Sequence, residues 1–548
     1  MQEPLTAWQA VVAHAERDPD RTFLNQPVEG EVISWTFGEA VDNARRFASA
    51  LRGMGLEKGD RVAILSKNVA EWLLADYAIM MAGLISVPIY PTAGAATIRH
   101  VMRHSEAKAV IVGKLDDPDI PKQALATDIP KIALRYPSMD CQYEWQSLIE
   151  SHEPWRDYHE PDAAETMTIL YTSGSTGQPK GVVISYRAYN YASQTTRDIL
   201  EVDASDRMLS YLPLAHITER SVIAGPAAFA GSELFFAESL ATFRTDMKRA
   251  NPTAFVSVPR LWVQFQAGVH AKIPPAKLNL LLSLPIVGRK VARKVREELG
   301  LADCRLVGSG SAPISPLTLK WYEKLGVNIS EGWGMSETSG LSCGNNPFSS
   351  SRVGTIGVPL PGTEMKLTDD GEILLKSPGL FTEYYKQPEL TAEVFSDDGF
   401  FHTGDKGEWD ETLQAFRITG RVKDQFKSAK GKYVTPVPIE GKLSGNPLFE
   451  QVCVMGSGLR APVALTVLSP VSKGMEREEI EHSLVKTLGD VNETLESHEK
   501  MSNIFIVDEP WTIENDLLTP TLKIKRDKLE SKYGQLISEP RNEKVVWP

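Results

Sequence analysis

The sequence predicts an α/β protein with a large N-terminal domain of layered α/β subdomains, a β subdomain that closes it, and a small α+β C-terminal domain. Its 548 residues exceed what one hydrophobic core holds, so several domains are expected. Short β-rich runs alternate with helical patterns up to about Gly354, which is typical of α/β layers. Beyond Gly354, short strands separated by turns predict the β subdomain.

The α/β layers are predicted from short runs rich in β-formers: Arg61–Leu65, Ala109–Val112, Ala254–Val258 and Cys304–Gly308. The longest apolar stretch, Leu73–Tyr90, contains Asp76, Gly83 and Pro88. These residues favour a buried helix followed by a strand over a membrane span.

The β subdomain is predicted from Gly371–Leu375 and Phe416–Thr419. The chain beyond Arg421 is long enough to fold independently. We therefore divide the sequence into residues 1–421 and 422–548, with the boundary between Gly420 and Lys423.

The composition indicates a soluble globular protein, with 42% hydrophobic and 24% charged residues. A net charge of −12 disfavours a nucleic-acid partner.

Met1–Pro4 lacks the features of a signal peptide, so a cytoplasmic location is expected. The cysteines lack metal-ligand spacing and fit reduced thiols: Cys141, Cys304, Cys343 and Cys453. No pattern indicates an oligomeric state.

The run from Tyr171 to Gly181 combines glycines, hydroxyl side chains and a lysine, which suits a polyphosphate. It is not a Walker A loop, because Pro179 precedes the lysine and a β-rich segment follows it. We expect strand–loop–strand; a plain Ser/Gly surface loop is the alternative. The candidate ligands are Thr172, Ser173, Gly174, Ser175, Thr176, Gly177 and Lys180.

A second candidate is the run from Glu331 to Thr338. Trp333 lies between two glycines and could present its face to a nucleobase, while Glu337 offers a hard oxygen ligand for Mg²⁺. The alternative is a turn with a core tryptophan. The candidate ligands here are Glu331, Gly332, Trp333, Gly334, Ser336 and Glu337.

Three weaker motifs follow. Asp405 could accept both ribose hydroxyls, and Arg421 could reach ribose or phosphate. The basic loop 427–432 is either a site for a phosphorylated second substrate or a solvated loop. Near the C-terminus, Lys523 is either delivered into an active site by a turn or part of a surface helix start.

Together these motifs, in this order, resemble the acyl-activating, adenylate-forming (AMP-binding) superfamily of acyl-CoA synthetases, luciferases and peptide-synthetase adenylation domains over about residues 30–530. Ser210–Arg220, Gly308–Ile314 and Lys430–Glu440 resemble long-chain fatty acyl-CoA synthetases, and Met335–Gly340 resembles the bubblegum-type branch. The sequence departs from the family pattern at Trp333, usually Tyr, at Ser336, usually Thr, and at Leu522, usually Gly. We expect these departures to alter ATP affinity.

The resemblance implies that a fatty acid, ATP with Mg²⁺, and coenzyme A are the small-molecule partners. It implies acyl-AMP formation with release of pyrophosphate, then transfer to a thiol, with the small domain rotating between the steps about Lys423. Transfer to a carrier protein or another acceptor is the rival outcome. A phosphotransferase is disfavoured by the failed Walker pattern, and a non-catalytic scaffold by the presence of Lys523, Glu337 and Asp405.

The resemblance also implies residue roles. Lys523, Glu337 and Lys180 would be catalytic, and Thr172 and Glu337 would serve Mg²⁺. His216 would line the nucleotide or acyl pocket, although a core histidine is the alternative. The remaining implied nucleotide contacts are Gly310, Ser311, Ala312, Lys423 and Lys427, and the implied CoA contacts are Lys430, Gly431 and Lys432.

A basic, apolar segment at 278–299 could contact an anionic membrane peripherally. Val287, Val291, Val295 and Leu299 recur at i, i+4 spacing among five cations. Ordinary packing of an amphipathic surface helix is the alternative.

Overall fold

A computed structural model describes residues 6–136, 139–172, 178–429, 431–513, 515–519, 523–539 and 541–548. Its helices and strands follow the chain in alternation up to the middle of the sequence, as the sequence pattern predicts.

The α-helices of the described chain begin and end as follows: α1 (Ala7–Arg17), α2 (Phe37–Gly53), α3 (Ala70–Met81), α4 (Ala95–Ser105), α5 (Asp119–Ala124), α6 (Trp145–Ser151), α7 (Tyr186–Ile199), α8 (Gly225–Ala230), α9 (Phe243–Ala250), α10 (Pro259–Lys272), α11 (Pro275–Ser283), α12 (Pro285–Leu299), α13 (Pro316–Lys324), α14 (Pro388–Glu393), α15 (Pro436–Leu443), α16 (Arg477–Glu493) and α17 (Arg526–Ser538). A π-helix covers Glu219–Ala224, and a short 3₁₀ turn covers Ser336–Thr338.

The strands are β1 (Thr22–Val28), β2 (Glu31–Thr36), β3 (Arg61–Leu65), β4 (Ile85–Ile89), β5 (Ala109–Val112), β6 (Lys131–Ala133), β7 (Tyr143–Glu144), β8 (Thr166–Thr172), β9 (Lys180–Ser185), β10 (Arg207–Ser210), β11 (Glu233–Phe236), β12 (Ala254–Ser257), β13 (Leu306–Ser309), β14 (Ile329–Met335), β15 (Gly340–Gly344), β16 (Val358–Pro359), β17 (Glu364–Leu367), β18 (Glu372–Lys376), β19 (Glu383–Tyr384), β20 (Phe401–Asp410), β21 (Ala415–Arg421), β22 (Phe426–Lys427), β23 (Tyr433–Val434), β24 (Phe449–Met455), β25 (Val463–Leu468), β26 (Ile504–Ile506) and β27 (Val545–Val546).

Two large mixed sheets form the body of the N-terminal region. Over the described residues, one has the strand order β16-β15-β14-β13-β12-β10-β11-β1-β2 and the other β19-β9-β8-β4-β3-β5-β6-β7. Strands β12, β13 and β14 run parallel, so their carboxyl ends meet at one edge. Ligands of open α/β sheets bind at that edge.

The β subdomain is an antiparallel sheet of order β17-β18-β20-β21. Beyond it, the described C-terminal residues form the hairpin β22–β23 and a second sheet of order β24-β25-β26-β27, with α15, α16 and α17. This arrangement matches the predicted fold class of a large α/β region with a β subdomain and a smaller α+β C-terminal region. The exact boundary between residues 421 and 422 stays a prediction.

The predicted strands are found, with one shift in position. The strand predicted at Cys304–Gly308 begins at Leu306 instead. The strand begins where its pairing with β12 begins, because Leu306 is the partner of Ala254, the first residue of β12. Leu73–Tyr90 forms the end of α3 and then β4, as expected for a buried helix followed by a strand.

A buried ion pair holds the π-helix against both α3 and β8. Arg220 Nη2 donates to Asp76 Oδ2 at 2.6 Å, and its Nη1 donates to Thr168 Oγ1 at 2.9 Å. Both charged side chains are almost fully buried, so removing either one would leave an unpaired charge in the core. This contact fixes the strand that runs into the glycine-rich loop.

No helix within the described ranges is long and apolar enough to cross a membrane.

Candidate active site

The glycine-rich loop joins two antiparallel strands. β8 ends at Thr172, β9 begins at Lys180, and these two residues are cross-strand partners. The strand–loop–strand prediction is therefore confirmed, and the loop differs from a Walker A loop in that no helix follows it directly. The predicted ligands Ser173, Gly174, Ser175, Thr176 and Gly177 lie outside the described residues.

Lys180 is held in a three-membered cluster with a carboxylate and a phenol. Its Nζ lies 3.1 Å from Glu337 Oε1 and 2.5 Å from the Tyr384 hydroxyl. Tyr384 in turn donates to Glu337 Oε1 at 3.0 Å. Burial raises the pKa of Tyr384, and the Glu337 charge raises it further, so the phenol stays a neutral donor. The loop lysine and the candidate metal carboxylate are thus in contact.

The residues available for Mg²⁺ fit an ion that arrives with a triphosphate. The Thr172 hydroxyl is buried with no hydrogen-bond partner in the described chain, and its cross-strand partner Lys180 contacts Glu337. Across the described residues, no group of three or more His, Cys, Asp or Glu could hold a metal on its own. A hydroxyl and one carboxylate leave the remaining octahedral positions of Mg²⁺ to phosphate oxygens and water.

The backbone is closely packed at the carboxyl ends of β13 and β14. A side chain at Gly310 would lie 3.2 Å from the carbonyl oxygen of Gly332, and one at Gly334 would overlap the carbonyl oxygen of Gly340. Glycine is thus required at Gly334, whereas a side chain at Gly310 would need only a small shift of its neighbour. Ser311 has a φ of 68°, and both Ser311 and Ala312 are exposed.

Trp333 and Asp405 are joined by a hydrogen bond. The indole Nε1–H donates to Asp405 Oδ2 at 2.9 Å, while Arg421 Nε donates to Oδ1 at 2.7 Å. The second contact follows from the topology, because Asp405 and Arg421 are cross-strand partners on β20 and β21. Three predicted ligands from separate motifs therefore form one unit.

Lys523 extends from the C-terminal region towards this unit. Burial and the Arg421 charge lower its pKa, while Asp405, Glu337 and Asp424 act in the opposite direction. Lys523 is nevertheless exposed to solvent. Its backbone N–H donates to Thr519 Oγ1 at 3.0 Å, which shapes the turn that carries it.

His216 lies near Lys523. Burial lowers its pKa to about 4, and the Lys523 charge contributes to that shift. Its Nδ1 accepts the Thr218 backbone N–H at 3.1 Å. The imidazole is therefore neutral near pH 7.

Other predicted ligands have different contacts. Glu331 accepts the Gly354 N–H at 2.7 Å, and burial raises its pKa to about 8. Ser336 begins the 3₁₀ turn that carries Glu337. A nucleotide role for Glu331 and Ser336 stays a prediction.

The basic loop forms the end of a hairpin. Lys427 places its Nζ 4.8 Å from the Tyr433 ring centroid, and Gly431 takes a φ of 73° at the turn. Lys423 and Lys432 are exposed, and Lys430 lies outside the described residues. A nucleotide role for Lys427 stays a prediction.

Residues 11–385 match the AMP-binding enzyme family, and residues 423–543 match the AMP-binding enzyme C-terminal domain. The chain belongs to the AMP-binding enzyme family.

Curated relatives resemble this AMP-binding enzyme over almost its whole length. Fatty acyl-CoA synthetase A of Dictyostelium discoideum is 30% identical over 96% of this chain and 89% of its own. Long-chain-fatty-acid–CoA ligase FadD15 of Mycobacterium bovis is 28% identical over 96% of this chain and 95% of its own. Among solved structures, the adenylation domain of a carboxylate reductase from Mycobacterium chelonae superposes with a TM-score of 0.81 at 22% identity, covering 98% of this chain and 91% of its own, which shows the shared fold.

Tyr384 is the residue of this AMP-binding enzyme's candidate site that sequence reasoning missed. It lies on β19, which pairs with β9 so that Tyr384 is opposite Val182, two residues after Lys180. No motif surrounds it, and only the aromatic pair Tyr384–Tyr385 in a β-rich region could have drawn attention to it.

Proposed function

We propose that the protein activates a long-chain fatty acid with ATP, giving acyl-AMP and pyrophosphate, and then transfers the acyl group to coenzyme A. The observation that carries the proposal is that one segment, β14 and the 3₁₀ turn after it, joins the Lys180–Glu337 cluster to the Trp333–Asp405–Arg421 unit. Lys523 lies near enough for the charges of Arg421, Asp405 and Glu337 to act on its pKa. Family membership and the names of the curated relatives support the reaction class and the acyl substrate.

In the first step, the carboxylate oxygen of the fatty acid attacks the α-phosphorus of ATP, and pyrophosphate departs. Several anionic groups meet at one phosphorus, so catalysis consists mainly of positioning and charge neutralisation. Lys523 bridges the carboxylate and the α-phosphate, because a point charge on a flexible stem reaches both. Lys180 holds the departing pyrophosphate, together with the loop residues 173–177.

The nucleoside binds beside the Trp333–Asp405–Arg421 unit. Adenine lies between residues 310–312 and the face of Trp333, and the ribose hydroxyls donate to Asp405. When Mg²⁺ is bound, held by Thr172 and Glu337, it neutralises phosphate charge.

In the second step, a thiol displaces AMP. The C-terminal region rotates at Lys423 and presents the basic loop with Lys430, Gly431 and Lys432, which receives the phosphates of coenzyme A. A phosphorylated thiol suits a lysine-rich loop in a chain of net charge −12. A carrier protein as acceptor is the rival outcome.

The test is carboxylate-dependent exchange of labelled pyrophosphate into ATP across fatty acids of increasing length. We expect exchange with long chains and an acyl-CoA product when coenzyme A is added. No exchange at any chain length would refute the enzyme proposal. Exchange without thioester formation would favour transfer of the acyl group to a carrier protein.

The Tyr384→Phe variant should raise the KM for Mg·ATP about tenfold, because hydrogen bonds to charged groups contribute roughly 1.5–3 kcal/mol. When the Tyr384 hydroxyl is removed, Lys180 and Glu337 lose the group that orders them. Steady-state exchange at varied Mg·ATP measures the change. The matched control is Tyr385→Phe, one residue away, whose ring packs 5.7 Å from His104. Equal effects of the two variants would contradict the role of Tyr384.

We also propose that the tip of the α11–α12 hairpin contacts an anionic membrane. Half of the expected apolar stripe of α12 is not available for this contact, because Val295 and Leu299 are buried in the core. At the tip, however, four large apolar side chains stand exposed: Leu280 (65%), Leu284 (44%), Ile286 (74%) and Val287 (42%). The exposed cations that flank them complement anionic lipid: Arg289, Lys290, Arg293 and Lys294.

Replacing Leu280 and Ile286 together by Glu should lower binding to phosphatidylglycerol vesicles at least about tenfold at low salt, since both apolar contact and charge attraction are lost. Co-sedimentation with vesicles of phosphatidylglycerol or phosphatidylcholine measures it. Leu240→Glu is the control, because Leu240 is 89% exposed elsewhere on the surface. Absence of wild-type binding at low salt would end this proposal.

A further inference from the structure

Trp333 makes a contact that its expected role in stacking does not need. An indole that only stacks on adenine needs nothing more than a free face. The N–H at the edge of the Trp333 ring nevertheless donates to Asp405 Oδ2, 2.9 Å away. The sequence pattern of the family usually has Tyr at this position. A tyrosine hydroxyl lies at the far end of the ring and not at the position of the pyrrole N–H.

The backbone around Asp405 is already held in place. Its N–H donates to Thr403 Oγ1 at 3.1 Å, and the preceding Gly404 N–H donates to Glu372 Oε1 at 2.9 Å. What remains free is rotation of the carboxylate. Arg421 on one oxygen and Trp333 on the other remove that freedom.

The carboxylate keeps acceptor capacity in this arrangement. A carboxylate oxygen offers two lone pairs, so each oxygen of Asp405 retains one after Trp333 and Arg421 have donated. Two vicinal ribose hydroxyls need two such acceptors. Asp405 is only 7% exposed. Without the two hydrogen bonds its carboxylate could rotate into orientations that do not face the ribose hydroxyls.

We infer that Trp333 is a positioning residue: its indole N–H orients the Asp405 carboxylate for the two ribose hydroxyls and so sets the preference for ribonucleotides. Stacking of the base and recognition of the ribose are thereby coupled through one side chain. The inference rests on the proposed nucleotide site and specifies how that site selects the sugar.

The test compares AMP with 2′,3′-dideoxy-AMP by calorimetry on the full chain. Trp333→Phe keeps an aromatic face and removes the N–H. We expect it to weaken AMP binding about tenfold and 2′,3′-dideoxy-AMP binding less than threefold, because only AMP has the ribose hydroxyls that need the oriented carboxylate. The preference for AMP should therefore shrink. A preference equal to that of the wild type would overturn the inference and leave Trp333 as a stacking residue.

Two further variants test whether the change in preference comes from the N–H of Trp333 and not from loss of any indole. Trp333→Tyr, the residue usual in the family pattern, should show the same reduced preference. Trp409→Phe removes an indole from the strand that carries Asp405, where it packs 4.9 Å from Phe416, and should leave the preference unchanged. Since the readout is binding, it is separate from turnover: absence of pyrophosphate exchange in the wild type would refute the proposed function without deciding this inference.

Discussion

The Lys523→Ala variant should form acyl-AMP about 10²–10³-fold more slowly than the wild type, the usual effect of removing one group that stabilises developing charge. ATP binding should weaken far less, because in the proposed site Lys180, Asp405 and Arg421 would still hold the nucleotide. Thioester formation from preformed acyl-AMP should be almost unaffected. Single-turnover measurement of each half-reaction separates these effects.

Lys525→Ala is the matched control for Lys523→Ala. Lys525 is two residues away and pairs with Asp516, which also has Lys528 as a partner at 3.0 Å. Its loss should leave both half-reactions within about twofold, the range expected for an exposed ion pair. If Lys523→Ala slowed both half-reactions equally, Lys523 would not be specific to adenylation.

The individual site motifs could be predicted from the sequence because each needs particular residue types close together. The strand–loop–strand form followed from Pro179 and the β-rich segment after it. That Asp405 and Arg421 contact each other could not be derived in this way, since it depends on the register of β20 with β21. The bond from Trp333 to Asp405 depends in addition on how two sheets pack.

The role of Tyr384 also could not be predicted from the sequence. A buried tyrosine in a β-rich region is usually core, and nothing near it in the sequence indicates otherwise. It reaches Glu337 because β19 pairs with β9, a contact between strands far apart in the chain. The apolar stripe of α12 has the same limit: its periodicity identifies an apolar face, but only packing shows that Val295 and Leu299 are covered while Leu280 and Ile286 are exposed.

The second large effect is expected for Glu337→Gln. The amide keeps the shape of the side chain and still accepts the Tyr384 hydroxyl, but the negative charge is lost. We expect adenylation to slow about 10²-fold and to require more Mg²⁺, because a neutral amide is a weaker ligand for a hard cation. Exchange measured over a Mg²⁺ titration gives both quantities.

Binding of metal-free ATP to the Glu337→Gln variant should not weaken, in contrast to the loss of turnover. In the wild type, Lys180 is paired with Glu337 at 3.1 Å, and the carboxylate repels a triphosphate. Loss of the charge releases Lys180 for the phosphates, so binding of ATP in the presence of EDTA should stay equal or tighten while turnover falls. Glu383→Gln, on the exposed face of the strand that carries Tyr384, should change neither quantity. Weaker metal-free binding by Glu337→Gln would show instead that Glu337 orders the protein, and that the metal is held elsewhere.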